Sequence, residues 1–328
     1  MVRRTLIFGV FGMACVTAGF MWGRFSADTG FAGALPDLHN QRVSQTFRYT
    51  NQLLACGDLN SIGYGTMHDL RDTVRTIIDS SVSASKITKA SVYLRDLDNG
   101  PWMGLGERDD FYPASLLKLP LLIALYKQEQ DAPGFLDKEV AYTKAAFPNV
   151  TVLFPPEKTL EIGKKYTIRE LARRAVVYSD NEAASLAGSQ LSFSTLTSVF
   201  SDLGIDTPDQ GQDYQTSVRT YGSFFRILYN ASYINRELSE EALRVLTESS
   251  FSNGIPVGVP SGIAVAHKFG EREGNIENGD VQLHDCGVIY SPGRPYLLCV
   301  MAQAKKPGDI LDLMHKISHE VYQVMSQP

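Results

Sequence analysis

Apolar residues recur at helical spacing early in the globular part of the chain. Met67, Leu70, Val74, Ile77 and Ile78 lie three or four apart, which predicts one helix over about 66–80. "ASVYLRDLDNGPWMGLGE", residues 90–107, alternates and then breaks, and it predicts two strands joined by a turn at Asp98-Asn99-Gly100. "FYPASLLKLP", residues 111–120, opens a helix that stays apolar through Tyr126. Residues 131–165 are rich in Pro, Gly and Lys and read as loops. Thr167 and Glu170 form a capping box for a helix ending near Tyr178, and further helical stretches run to about Ser250. "GIAVAHKFG", "VQLHDCGVIY" and "YLLCVMAQA" read as three consecutive strands. An amphipathic helix over 308–326 closes the chain, with Ile310, Leu313, Met314, Ile317, Val321 and Val324 inward.

The order is helix, two strands, helical block, three strands, helix. Runs of strands kept apart from runs of helices argue for an α+β fold rather than an alternating one. The pieces assemble into a five-stranded, mostly antiparallel sheet with the terminal helices on one face. An all-α subdomain, about 120–250, is inserted into it. No internal repeat or low-complexity tract interrupts this plan.

The extreme N-terminus follows another rule. Arg3 and Arg4 precede an uncharged run over 5–22, and Arg24 closes it. Eighteen such residues reach the lower limit of a membrane span. The run reads as an anchor, or as a signal segment if "AGA" at 32–34 is a cleavage site. Basic residues on its N-terminal side place the rest of the chain outside the cytoplasmic membrane. The expected division is therefore 1–24 membrane segment, 25–65 linker and irregular cap, and 66–328 globular domain. A net charge of −5 over 328 residues gives no footprint for nucleic acid. Of the four cysteines, Cys15 lies in the apolar run and Cys56 has no evident mate. Cys286 and Cys299 flank a hairpin turn, "SPGRP", and are either a disulfide or two small buried hydrophobes.

Chemistry enters with Ser115 and Lys118. Helical residues three apart share a face, with Cβ atoms about 5–6 Å apart. A neutral lysine there can take the serine proton, provided burial or a second cation lowers its pKa. The bland alternative is a helix-capping serine and a snorkelling lysine. Spacing alone does not decide, because Ser83 and Lys86 repeat it in a polar stretch. Two further stretches do. "YSDNEAA" places Ser179, Asp180 and Asn181 at a junction between helices, and "AHKFG" places Lys268 and Gly270 on one face of a strand. Lys306-Pro307-Gly308 repeats the second spacing in a loop, so the conjunction and its order carry the signal.

On these motifs the chain resembles the serine β-lactamase and penicillin-binding protein superfamily, closest to the class A β-lactamase layout. The resemblance covers about 66–328. It implies an active site in the cleft between sheet and helical subdomain, an acyl-serine mechanism and no cofactor. Carried over, Ser115 would be the nucleophile and Lys118 its general base. Ser179 would relay a proton to the leaving nitrogen. Asn181 would hold the substrate amide and help fix Lys118. Lys268 would hold Ser179 and a substrate carboxylate, and its charge would depress the Lys118 pKa. The backbone N–H groups of Ser115 and Glu271 would form the oxyanion hole, and Gly270 would keep the strand open to a close-lying substrate.

The chain departs from that pattern twice. Phe269 stands where the family has Thr or Ser, and packing on the opposite face from Lys268 would explain it. Arg272 would then take over the carboxylate contact, or else be a solvated surface arginine. The stretch "DLGIDTPDQGQDYQTS", residues 202–217, lacks the glutamate that activates the deacylating water. Asp206, Asp209 and Asp213 are possible substitutes, and spacing selects none. Three functions remain open: a membrane-anchored hydrolase of β-lactams or D-alanyl peptides with slow deacylation, a penicillin-binding DD-peptidase or transpeptidase, and a catalytically silent wall-binding protein. The expected partners are a β-lactam or a peptidoglycan stem peptide and, through the N-terminal run, the membrane. No metal is expected. His315 and His319 are spaced i, i+4 but lack an evident third ligand, and His267 and His284 read as strand residues that tune packing or hydrogen bonding.

Overall fold

The computed structural model describes residues 47–51, 64–98, 100–147, 150, 152–208, 214–273 and 279–327. The apolar run at 5–22, most of the 25–65 cap, and Asp209 and Asp213 lie outside them. No helix among the described residues is long and apolar enough to cross a membrane.

Helix α1 (Tyr64–Ser83) leads into β1 (Lys89–Asp96) and β2 (Trp102–Leu105). A 3-10 turn, Ala114–Leu117, runs straight into α2 (Lys118–Asp131). A strand pair, β3 (Glu139–Ala141) and β4 (Lys165–Thr167), is followed by α3 (Ile168–Val177), α4 (Asn181–Gly188), α5 (Phe193–Ser201), α6 (Val218–Tyr229) and α7 (Arg236–Leu246). Strands β5 (Val265–Arg272), β6 (Val281–Ile289) and β7 (Tyr296–Ala304) precede the final helix α8 (Pro307–Met325).

The main sheet is five-stranded, in the order β2-β1-β7-β6-β5, and every pairing in it is antiparallel. The fold class is the α+β arrangement read from the strand pattern. Both faces are covered. Val92, Leu94, Leu298 and Val300 face the core formed with α1 and α8, whereas Tyr93, Leu297, Cys299 and Met301 face the helical side. That period of two sends successive residues to opposite layers. With both faces buried, the strands read as nearly continuous apolar runs.

Helix α2 lies at the centre of the helical side. Every residue from Lys118 to Tyr126 is buried, so its apolar character runs all round the axis. Pro120 is tolerated because it sits in the first turn, where backbone N–H groups lack helical acceptors. Thr167 caps α3 by accepting the Glu170 N–H at 3.1 Å. The box is only half formed, because the Glu170 carboxylate turns instead to Arg174 at 2.7 Å.

One detail differs from the sequence reading, one extends it and one decides an alternative it left open. Residues 131–165 are not loop throughout, since Glu139–Ala141 pairs with Lys165–Thr167. Three-residue strands are too short to carry an alternating signal. Val324 is half-buried, and the neighbouring Met325 takes the last inward position of α8. Cys286 and Cys299 lie directly opposite each other across β6 and β7 and are joined as a disulfide.

Candidate active site

The nucleophile turn is fixed from several directions before any chemistry is considered. Phe111 exchanges both backbone hydrogen bonds with Thr216, each at 2.9 Å. The Tyr112 N–H reaches Gln282 at 3.0 Å, and Tyr112 O accepts from His284 Nε2 at 3.0 Å. Burial pushes His284 down to about 4, so the ring is neutral and donates this bond. The buried Tyr221 hydroxyl donates to Leu116 O at 3.0 Å. These contacts hold Ala114 at φ 49° and present Ser115 at the helix entrance. A positive φ at a non-glycine residue is a strained backbone that its surroundings must enforce.

Ser179 is held in the same way, at φ 55°. Asp180 next to it is buried and caps α4, accepting from Glu182 N at 2.9 Å and Ala183 N at 3.2 Å. The cap fixes Asn181 as the first residue of α4 and aims its side chain back at α2. Burial raises the Asp180 pKa, and the two cap hydrogen bonds oppose that rise.

The structure brings Ser115, Lys118, Ser179, Asn181 and Lys268 into one cluster. Lys118 Nζ is 3.0 Å from Ser115 Oγ, 2.6 Å from Ser179 O, 3.2 Å from Ser179 Oγ and 2.6 Å from Asn181 Oδ1. A neutral amine has two N–H donors and one lone pair. Directing the donors at the two close oxygens, Ser179 O and Asn181 Oδ1, leaves the lone pair for the Ser115 hydroxyl. Burial lowers the Lys118 pKa to about 7, against the pull of the Asp180 and Glu271 charges. Desolvation of the amine is the leading cause of the depression.

Lys268 is fully buried and donates to Ser179 Oγ at 3.0 Å and to Phe269 O at 2.8 Å. Burial, and then the nearby Lys118 charge, hold its pKa well below the ordinary range. Ser179 Oγ therefore bridges two amines. Phe269 is a packing residue: it stacks on Phe251 with centroids 4.1 Å apart and meets Phe154 edge-on.

Gly270 has a different reason from the one expected. A Cβ there would lie 2.5 Å from Pro113 O and 2.9 Å from Leu116 Cγ. The close neighbour is the protein's own nucleophile turn, and glycine lets the edge strand β5 press against it. That contact sets the backbone of Glu271 beside Ser115. Arg272 is half-buried, with its guanidinium 3.8 Å from the centroid of Tyr112, so it is stacked beside the nucleophile turn rather than freely solvated.

Sequence reasoning read the segments 144–147 and 152–156 only as loop and missed their place beside the site. Glu182 accepts the N–H groups of Ala146 and Phe147 at 2.7 and 2.6 Å. Glu271 accepts those of Leu153 and Phe154 at 2.7 and 3.1 Å. Burial raises the Glu271 pKa and these two bonds lower it. The two carboxylates pin the loop as one wall of the cleft. Asp206 is exposed. No group of three metal-ligating side chains occurs among the described residues, and His315 Nε2 bonds instead to Asn253 O at 2.6 Å.

Two cavities meet at Ser115 and Asn181. One, of about 360 Å³, lies between α2, α4 and α5 and is apolar. The other, of about 420 Å³, lies under the 144–156 loop and includes Ser179, Glu182 and Glu271.

A serine hydroxyl against a depressed lysine, in a cleft between a sheet and a helical subdomain, fits a serine hydrolase. The chain belongs to the beta-lactamase enzyme family, whose model matches residues 69–325. Among solved structures, it is similar to a PBP-A mutant in an acyl-enzyme complex with penicillin G, at 21% identity and TM-score 0.65, covering 78% of this chain and 96% of that one. It is also similar to a beta-lactamase from Burkholderia phymatum (18% identity, TM-score 0.65, covering 80% and 99%). A class A beta-lactamase from Mycobacterium abscessus is a third (21% identity, TM-score 0.64, covering 79% and 100%). At these identities the likeness is one of fold. No curated protein matches the chain in sequence.

Proposed function

We propose that the protein is a penicillin-reactive acyl-serine enzyme that acylates on β-lactams and on D-alanyl peptide amides and releases the acyl group slowly. The observation that carries this reading is the Lys118 amine, lowered to about 7 by burial and 3.0 Å from Ser115 Oγ. Ser115 Oγ attacks the amide carbonyl as its proton passes to Lys118 Nζ. The tetrahedral oxyanion is received by the backbone N–H groups of Ser115 and Glu271, and such donors are worth about 10²–10³ in rate. The C–N bond then breaks, Ser179 delivers its proton to the leaving nitrogen, and the proton held by Lys118, 3.2 Å from Ser179 Oγ, restores the hydroxyl. Lys268 holds Ser179 Oγ, and a substrate carboxylate beside it would raise its pKa by favouring the ammonium. Asn181 anchors the substrate amide, and Arg272 adds positive charge on the carboxylate side.

Slow release follows from the surroundings of Ser115. The apolar cavity has no carboxylate in its lining. Glu182 and Glu271, on the other side, each already hold two backbone N–H groups. Among the described residues a hydrolytic water therefore lacks a ready base, since Asp180 is buried and caps α4. This favours a DD-peptidase or transpeptidase as the second reading, with Lys118 and Ser179 serving both half-reactions. The N-terminal run at 5–22 would hold the domain on the outer side of the cytoplasmic membrane, within reach of peptidoglycan stem peptides.

Penicillin G mixed with the protein, followed by intact mass over time and by steady-state nitrocefin hydrolysis, tests this. One long-lived adduct, absent in Ser115→Ala, is the expected result. Rapid nitrocefin turnover would remove slow release, and turnover surviving Ser115→Ala would remove the nucleophile.

A further inference from the structure

The two cavities that meet at Ser115 differ in chemistry, and the difference assigns a direction to the substrate. The lining of the first comes from Leu117 and Leu121, from Ala184 on α4, and from Phe193, Leu196 and Phe200 on α5. Its polar members are few. Ser115, Lys118 and Asn181 sit at one end and are already bonded through the Lys118 amine. The Thr197 hydroxyl is turned onto its own helix, donating to Phe193 O at 3.0 Å. A polar ligand entering this space would shed water and find no partner. Phe193, 55% exposed, carries the apolar lining out to the surface. The second cavity holds Ser179, the proton donor for the leaving group, together with Asp180, Glu182 and Glu271. A leaving group protonated by Ser179 therefore belongs in the second cavity, and the acyl chain is left with the first.

We propose that the enzyme has a second class of substrate, esters of medium-length aliphatic acids, whose acyl chain fills the apolar cavity while the carbonyl carbon lies at Ser115 and the alcohol leaves through the polar cavity. This rests on the reading of Ser115 as nucleophile. The cavity of about 360 Å³ has room for roughly eight carbons, at the small end of ligand pockets. In the reaction, Ser115 Oγ bonds to the ester carbonyl and its proton passes to Lys118. The bond from carbonyl carbon to alkoxy oxygen breaks, Ser179 protonates the departing alkoxide, and Lys118 passes the Ser115 proton on to Ser179. Water later cleaves the acyl-serine to the free acid and restores the hydroxyl.

The test is a series of p-nitrophenyl esters from acetate to dodecanoate, read as the second-order rate constant for p-nitrophenol release in the first turnover. Slow deacylation does not obscure that step. Each added methylene should raise the constant about three- to fourfold until the cavity fills near octanoate, after which the series levels off. Leu196→Trp, which occupies the cavity, should flatten the series, and Ser115→Ala should abolish release above background. A flat or falling series in the wild-type enzyme overturns the inference. So does a chain-length preference that survives Leu196→Trp in a folded variant or persists in Ser115→Ala. The wild-type series decides by itself if Leu196→Trp does not fold. Penicillin labelling of Ser115 alongside a flat ester series would sink this inference alone. Failure of penicillin and every ester to acylate folded protein would sink the reading of the nucleophile as well.

Discussion

Ser83 and Lys86 have the same spacing as Ser115 and Lys118. The first pair closes α1, and both of its side chains are exposed. The second lies where α2 enters the core, with Lys118 93% covered and its amine touching oxygens of three residues. The spacing is shared, but the first pair straddles a helix end, with Ser85 at φ 56° between its members, whereas the second shares a helical turn. Burial then changes what the second amine is. In water a lysine binds its proton until the pH approaches its ordinary value of about 10.4. Taken out of water among neutral acceptors, Lys118 releases it near 7.

The sharpest way to break this comparison is to remove each serine. Ser115→Ala should abolish covalent penicillin labelling, whereas Ser83→Ala should label like wild type. Equal loss in both would mean that the pair in the core has no special chemistry. Next come the lysines. Lys118→Ala should slow acylation by about 10²–10⁴-fold, the usual contribution of a positioned base, and Lys86→Ala should leave the rate unchanged. The pH profile sharpens the same point. Acylation needs the neutral amine, so its rate should fall roughly tenfold per pH unit below about 7 and level off above it. A rate still climbing at pH 9 would assign Lys118 an ordinary pKa.

Smaller effects test the supports. Gly270→Ala forces a Cβ to within 2.5 Å of Pro113 O, and overpacking of this kind costs about 1–3 kcal/mol. A lowered melting temperature together with slower acylation is expected, because the strand must retreat from the nucleophile turn. An unchanged melting temperature would show that β5 does not press on that turn. Glu182→Ala should cost least, about 1 kcal/mol of loop anchoring. Faster hydrogen exchange at Ala146 and Phe147 would report it.

Much of this architecture could be read from local pattern. The strands 265–272 and 296–304 show as apolar runs, and the Thr167 cap is written within four residues. Ser115, Lys118, Ser179, Asn181 and Lys268 were legible because three short motifs occur in order. The 144–156 wall was not. Its bonds to Glu182 and Glu271 span 35 or more residues, and such pairings leave no local trace. The role of Gly270 was misread for a similar reason, since the atoms that exclude a side chain there belong to Pro113 and Leu116. The apolar cavity beside Ser115 comes from three helices, and no single helix pattern reveals that its residues leave space between them.

The most direct test is the titration of the Lys118 amine itself, followed by NMR of protein carrying labelled lysine side chains, with exposed Lys86 as the internal reference. A Lys118 resonance with its midpoint near 7 is the predicted result. A midpoint in the ordinary lysine range, about 10.4, would mean that the amine stays an ammonium beside Ser115 and cannot accept its proton.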